Sequence, residues 1–232
     1  LKTRIKFSKR GNLRFVGHLD LMRFFQKANR RAGLPVSYSE GFSPHQIMSF
    51  AAPLGMGLES TAEYFDLRFQ DEAAETLSSD SVRERLNAQM AEGLEILEVR
   101  RLPDDAGNCM SAVSAADYEI RFKDAPAGFQ ERLAEACRAL LAAESVPVIK
   151  EGKKGPREVD LKPMIHSLSA EGGCLFMKVA QGSEANLKPE LLLGAMDQMV
   201  PELGLSGLRR RILRTELYGR DGLPLSAEGD LF

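Results

Sequence analysis

The chain is poor in both cysteine and histidine, with three of each among 232 residues. Cys109, Cys137 and Cys174 are odd in number and far apart, which argues against a disulfide framework or a zinc site. They also exclude a self-contained iron–sulfur site, because such a site needs clustered thiolates. His18, His45 and His166 lack metal-ligand spacing, so no metal site is expected. No apolar run reaches the roughly 18–20 residues that span a bilayer. The start, Leu1-Lys2-Thr3-Arg4, has no apolar block of a secretory signal. A soluble, cytoplasmic protein without membrane contact is the expectation. Also missing are a Ser/His/Asp order, a zinc-protease HExxH, a phosphate-binding P-loop and a dinucleotide fingerprint.

What the chain has is an uneven charge. The formal net charge is only −2. Residues 1–31 nevertheless carry ten Lys and Arg against the single acid Asp20, a local +9. Residues 59–105 carry thirteen acids against five Arg, a local −8. Such polarity makes a field that the near-neutral total hides.

The length suits two domains of roughly 100 residues each. Arg4-Ile5-Lys6-Phe7 alternates with period two and reads as a strand. His18–Ala32 is a predicted helix, with Leu21, Phe25, Ala28 and Ala32 on one stripe and Gly33 and Pro35 after it. Val36–Ser39, Ile47–Ala51 and Glu63–Phe69 are strand candidates. Ser81–Met90 is a helix capped by Asp80 or Ser81, and Leu94–Val99 a strand. Polar, aperiodic Pro103–Ser114 reads as a linker. The pattern then restarts. Tyr118–Phe122 is a strand, and Phe129, Leu133, Cys137 and Leu140 form a helical stripe that buries a thiol. Val146–Lys150 is a strand and Glu158–Ile165 is extended or a short strand, with Lys153–Pro156 a basic turn between them. Cys174–Val179 is a strand, a helix has Pro189 in its first turn, and Leu208–Leu217 is a last strand. The expected fold class is α+β: two tandem ferredoxin-like (βαββαβ) domains, 1–102 and 115–218, with a linker at 103–114 and a flexible tail at 219–232.

Five groups of residues are candidates for chemistry. Arg23, Lys27 and Arg30 share one helix face with Asp20, as phosphate-binding stripes do. The neighbouring Lys2, Arg4, Lys6, Lys9, Arg10 and Arg14 add cations without an acid among them. His18, at the helix start, is a candidate general acid or base, or merely a local hydrogen-bond partner. In the loop Tyr38 to His45, Gly41 can take positive φ, and Tyr38, Phe42 and His45 offer stacking surfaces for unpaired bases, unless they plug the core. Asp160 is a weak catalytic candidate that reads equally as an ion-pair partner. Arg209, Arg211 and Arg214 form a second basic cluster, in which Arg209 and Arg211 share a strand face opposite Arg210. At least one of these arginines needs a carboxylate or an external anion.

Several of these motifs together resemble the radical SAM-linked family of unknown function. They are Arg14-Phe15-Val16-Gly17-His18-Leu19-Asp20, Gly41-Phe42-Ser43-Pro44-His45, Glu158-Val159-Asp160-Leu161-Lys162, Asn186-Leu187-Lys188-Pro189-Glu190 and Arg214-Thr215-Glu216-Leu217-Tyr218. The family's usual second Pro after the loop His is Gln46 here, a departure expected to alter only loop stiffness. The resemblance implies an accessory role in RNA modification or ribosome-related work beside a radical SAM protein. The iron–sulfur cluster and S-adenosylmethionine are then expected only on that partner, with no cofactor on this chain. The reading is a non-catalytic accessory protein that binds tRNA or rRNA. Arg4, Lys6, Arg14, His18, Arg23, Lys27 and Arg30 would lie near phosphates, and Tyr38, Phe42 and His45 near bases. One alternative is an RNA-acting enzyme, either a RAMP-like endoribonuclease using His18 or a pseudouridine-synthase-like enzyme using Asp160. The other is a module that docks on an acidic protein partner.

Overall fold

The computed structural model describes residues 1–150 and 155–232. Lys153 and Lys154 of the expected basic turn lie outside the described residues. The chain divides into two compact units, Leu1–Ser114 with Arg214–Phe232, and Ala115–Leu213. Both are mixed α+β, and every strand pairing described in detail is antiparallel.

In the first unit, β1 (Lys2–Lys9) leads through a short 3-10 turn to α1 (His18–Arg31). Next come β2 (Met48–Phe50), β3 (Glu59–Arg68), α2 (Ser79–Asn87), β4 (Leu94–Arg101) and the single turn α3 (Cys109–Ala112). β1 lies between β3 and β4, and β2 pairs with β3. The alternation read in β1 is real: Ile5 and Phe7 enter the core, while Arg4 and Lys6 point to the opposite sheet face and meet acids. Phe65, Leu67 and Phe69 are fully buried, as their spacing predicts. Leu21 and Phe25 of α1 and Val82 and Leu86 of α2 close the same core. At its centre the Phe25 ring lies 4.9 Å from Phe7 and 4.8 Å from Phe65. Gly33, at φ +60°, ends α1 in a Schellman turn, with the Leu34 amide donating to the Asn29 carbonyl.

Boundaries moved for local reasons. α2 starts two residues earlier than predicted because Ser78 is its cap, exchanging hydrogen bonds with Ser81 in a capping box. Val36–Ser39 makes only isolated bridges, at Val36 and Tyr38. The expected linker is part of the first unit: Cys109 is fully buried, its amide donating to Asp66 and its thiol to the Ser49 carbonyl. Residues 219–232, read from the sequence as a flexible tail, lie against the same unit. Leu225 is buried, Asp230 bridges Arg101, and the Ser79 amide donates to the Phe232 carbonyl.

The second unit runs β5 (Ala115–Phe122), α4 (Phe129–Ala142), β6 (Pro147–Lys150), β7 (Arg157–Asp160), β8 (Ile165–Glu171), β9 (Cys174–Ala180) and α5 (Pro189–Met199). It closes with Arg210–Leu213 of β10 (Arg210–Tyr218). Its sheet runs β10-β5-β9-β8, and β6 and β7 pair only with each other. β8 has no counterpart among the predicted strands. Most of its side chains face outward and only Leu168 is buried, so its hydrophobic period is faint. Cys137 sits on the buried stripe of α4, as expected.

Candidate nucleic-acid interface

The dense N-terminal cations separate into two groups. Arg4, Lys6 and Lys9 of β1 are engaged internally, by Asp66 of the neighbouring strand, by acids of the C-terminal segment and by a backbone carbonyl. Arg4 is 1% exposed; its Nε donates to Asp66 at 2.8 Å and its Nη1 to Glu228. Lys6 reaches Glu216 at 2.7 Å, and the Tyr64 hydroxyl donates to the same carboxylate at 2.6 Å. Burial and that carboxylate push the Tyr64 phenol far up, so it stays protonated. Lys9 is buried, with its ammonium on the Val16 carbonyl, and desolvation pulls its pKa down. Arg14 lies 3.5 Å from Glu59 and stacks over Phe15. The phosphate role expected of Arg4 is therefore corrected, since its guanidinium is inside and paired. Lys6 and Arg14 are likewise neutralised.

The helix cations are different. Arg23, Lys27 and Arg30 are all exposed on α1. Among the described residues only Arg23 has a carboxylate, Asp20 at 3.4 Å, in an open i,i+3 pair that holds little energy. Arg31 turns to Gln89.

His18 opens α1 without capping it; the N-cap is Gly17, which has no side chain to bond the helix end. The imidazole meets the Phe50 ring edge-on at 5.2 Å. Desolvation first, and Lys9 in addition, lower its pKa against the pull of Glu63, which favours the neutral ring. Its surroundings are a core edge rather than an open acid–base site.

The loop after α1 carries the aromatic groups. Phe42 is completely exposed and Tyr38 is 46% exposed, so neither plugs the core. His45 is exposed, its Nδ1 sharing a hydrogen bond with Ser39 Oγ at 2.9 Å. What fixes this loop is Gln46, which is 5% exposed. Its Oε1 accepts from Asn29 Nδ2 at 2.9 Å, and its Nε2 donates to the Gln26 carbonyl at 2.9 Å. Both partners belong to α1. The substitution expected to affect only stiffness is thus the anchor that joins the aromatic loop to the basic helix. A proline could make neither bond. Nothing in the local pattern marks Gln46 or Asn29, because their value lies in a contact seventeen residues apart.

The other candidates are structural. Asp160 accepts from the Val146 amide at 2.7 Å and the Lys162 amide at 3.0 Å, which holds its carboxyl below the usual range and ties the ends of the β6–β7 hairpin. Arg209 pairs with Asp124. Arg210 donates to the Leu205 carbonyl and Arg211 is exposed. Arg214 is 1% exposed and clasps Glu63 from Nε and Nη2, with Nη2 also on the Ala52 carbonyl. The expected second basic cluster is therefore dispersed, and Arg214 has found its carboxylate inside the fold. Among the described residues no group of His, Cys, Asp and Glu could hold a metal ion, and no helix is long and apolar enough to cross a membrane.

A family model described as uncharacterized protein conserved in bacteria (DUF2344) matches residues 2–189. The chain belongs to this family. No curated protein matches it. Among solved structures it is similar to a chain in the crystal structure of a Cbf5-Nop10-Gar1 complex, with a TM-score of 0.43 and 11% identity. That similarity covers 94% of this chain and 50% of the other, so this DUF2344 member matches half the length of its structural neighbour. The family match spans the basic helix, the aromatic loop and all but the last strand.

Proposed function

We propose that this protein is a cytoplasmic RNA-binding accessory protein that positions a tRNA or rRNA for a partner radical SAM enzyme. One observation carries the RNA reading: the exposed Arg23–Lys27–Arg30 face of α1 is coupled through the Gln46 amide to the exposed Tyr38–Phe42–His45 loop. Cations on a helix face neutralise phosphates, and rings beside them stack unpaired bases, which is how single strands are held without a duplex.

The radical SAM partner rests on the motif resemblance. In this reading the partner holds the iron–sulfur cluster and S-adenosylmethionine, this chain holds neither, and each unit is a variant of a ferredoxin-like fold. The enzymatic alternative is weaker, since His18 packs on Phe50 and Asp160 ties a hairpin.

Anisotropy titration of the full chain with single-stranded RNA across salt concentrations tests the binding. Affinity should fall steeply with salt. The Arg23→Glu/Lys27→Glu variant should lower the slope of log K against log salt by about 1.4, at roughly 0.7 for each phosphate no longer neutralised. An unchanged affinity in that variant overturns the reading. The partner is tested by co-purification of a radical SAM protein after nuclease treatment.

A further inference from the structure

On the sheet face opposite α1, the first unit holds a cavity of about 360 Å³. Volumes of about 300–1,000 Å³ suit small organic ligands. The aromatic loop reaches it directly, because Ser39, His45 and Gln46 line its wall. Gln46 thus touches α1 on one side and this cavity on the other. Ser49 and Asn108 supply further hydrogen-bonding groups, and their side chains already bond each other at 2.8 Å.

The charge at its rim is unusual. Lys2 and Arg68 are direct partners across β1 and β3, so their side chains leave the same sheet face side by side. Like charges directly opposite on paired strands destabilise a sheet. The Lys2 ammonium rests on the Ala106 and Gly107 carbonyls, which orient it without neutralising it. Arg68 is exposed, and among the described residues no side-chain hydrogen bond holds it. The carboxylate in the same lining, Asp66, is taken up by Arg4 and by the Cys109 amide. Two cations therefore flank a polar cavity; Asp71 lies within electrostatic reach of Arg68 but is bonded to the N-terminal ammonium, and among the described residues no carboxylate hydrogen-bonds Lys2 or Arg68.

Building on the RNA-binding reading, we propose that this cavity is a subsite for one nucleotide unit of that RNA. Lys2 and Arg68 hold its phosphate, as a cation pair suits a dianion or a bridging phosphodiester. The Ser39–His45 and Ser49–Asn108 pairs present donors and acceptors to the base edge, which is how unstacked RNA bases are read. The loop then connects phosphate neutralisation on α1 with capture of a single splayed nucleotide.

The test is titration of the full chain with each nucleoside 5′-monophosphate, with inorganic phosphate and with a short single-stranded RNA, each followed by calorimetry. One or more monophosphates should bind at least about tenfold more tightly than phosphate. Arg68→Glu should weaken monophosphate and RNA alike by about tenfold or more, the size of a missing charge-assisted hydrogen bond. Arg23→Glu/Lys27→Glu should weaken RNA and leave monophosphates unchanged. If that double variant loses RNA while Arg68→Glu changes nothing, the cavity proposal fails and the RNA reading stands. If monophosphates bind and RNA does not, the RNA reading fails, and with it the RNA-borne source of the nucleotide. Equal affinity for phosphate and monophosphates makes the cavity a simple anion site, which overturns base recognition.

Discussion

Arg214 and His18 show how burial sets what a charged side chain can do. The Arg214–Glu63 pair is almost fully buried, so removing one member strands the other. Arg214→Ala is expected to cost about 3–5 kcal/mol, read by urea unfolding. The same measurement on Arg214→Met with Glu63→Leu should recover most of the loss, since an apolar pair carries no desolvation cost. His18 gives a pH effect of definite sign. Its folded pKa lies below the ordinary value, so below about pH 6.5 the unfolded chain binds the proton first. Its contribution favours the fold above about pH 6.5 and is lost as pH falls toward the lowered folded value. Unfolding free energies of the native chain and His18→Gln between pH 5 and 8 should converge at the acid end relative to their difference at pH 8. A constant difference refutes the assignment. Cys109 belongs to the same scale: burial pushes its thiol up to about 12, so alkylation near neutral pH should be slow until the chain unfolds.

At the scale of elements, the Tyr38–His45 loop is an appendage of α1. Gln46→Ala leaves Asn29 Nδ2 without its amide partner in a buried place where Asn29 Oδ1 already has no hydrogen bond. A loss of about 1–3 kcal/mol is expected, with raised hydrogen exchange confined to the loop and the last turns of α1. Phe42→Ala should leave the melting temperature unchanged, because the ring touches solvent alone, and weaken RNA binding by about 1–3 kcal/mol if one base stacks there. The segment after β10 is held as tightly as a strand at one point. A Cβ on Gly229 would lie 2.5 Å from the Arg101 carbonyl, so Gly229→Ala must displace the bridge between Arg101 and Asp230. A fall in melting temperature with no change in RNA affinity is the outcome that fits.

For the molecule as a whole, the first unit is assembled from both ends of the chain. Lys6, Tyr64, Glu63 and Arg4 all find partners among residues 214–228. A fragment spanning residues 1–114 should therefore melt well below the full chain, and adding the 214–232 segment in trans should raise its stability in proportion to occupancy. A fragment as stable as the native chain would show that these ion pairs contribute little. The same closure explains the charge pattern. Part of the +9 N-terminal stretch is neutralised by the −8 stretch, at Arg4–Asp66 and Arg14–Glu59, and part by acids of the C-terminal segment, at Arg4–Glu228 and Lys6–Glu216. The solvent side of α1 keeps its positive charge.

The amphipathic periods of α1 and α4, and the alternation that sends Ile5, Phe7, Phe65 and Leu67 into the core, were legible in advance, although both faces of β1 and β3 are buried. The α+β class, the exposed α1 stripe and the loop aromatics were readable in the same way. The tertiary structure alone decided which cations face solvent. Arg4 and Arg23 look alike in sequence, but one lies opposite Asp66 across a strand pair and the other faces water. It also decided the roles of Gln46, Cys109, Lys2 and Arg68, whose partners lie between about twenty and more than one hundred residues away. Local spacing carries no information about such pairings, since they exist only once the strands have chosen their register.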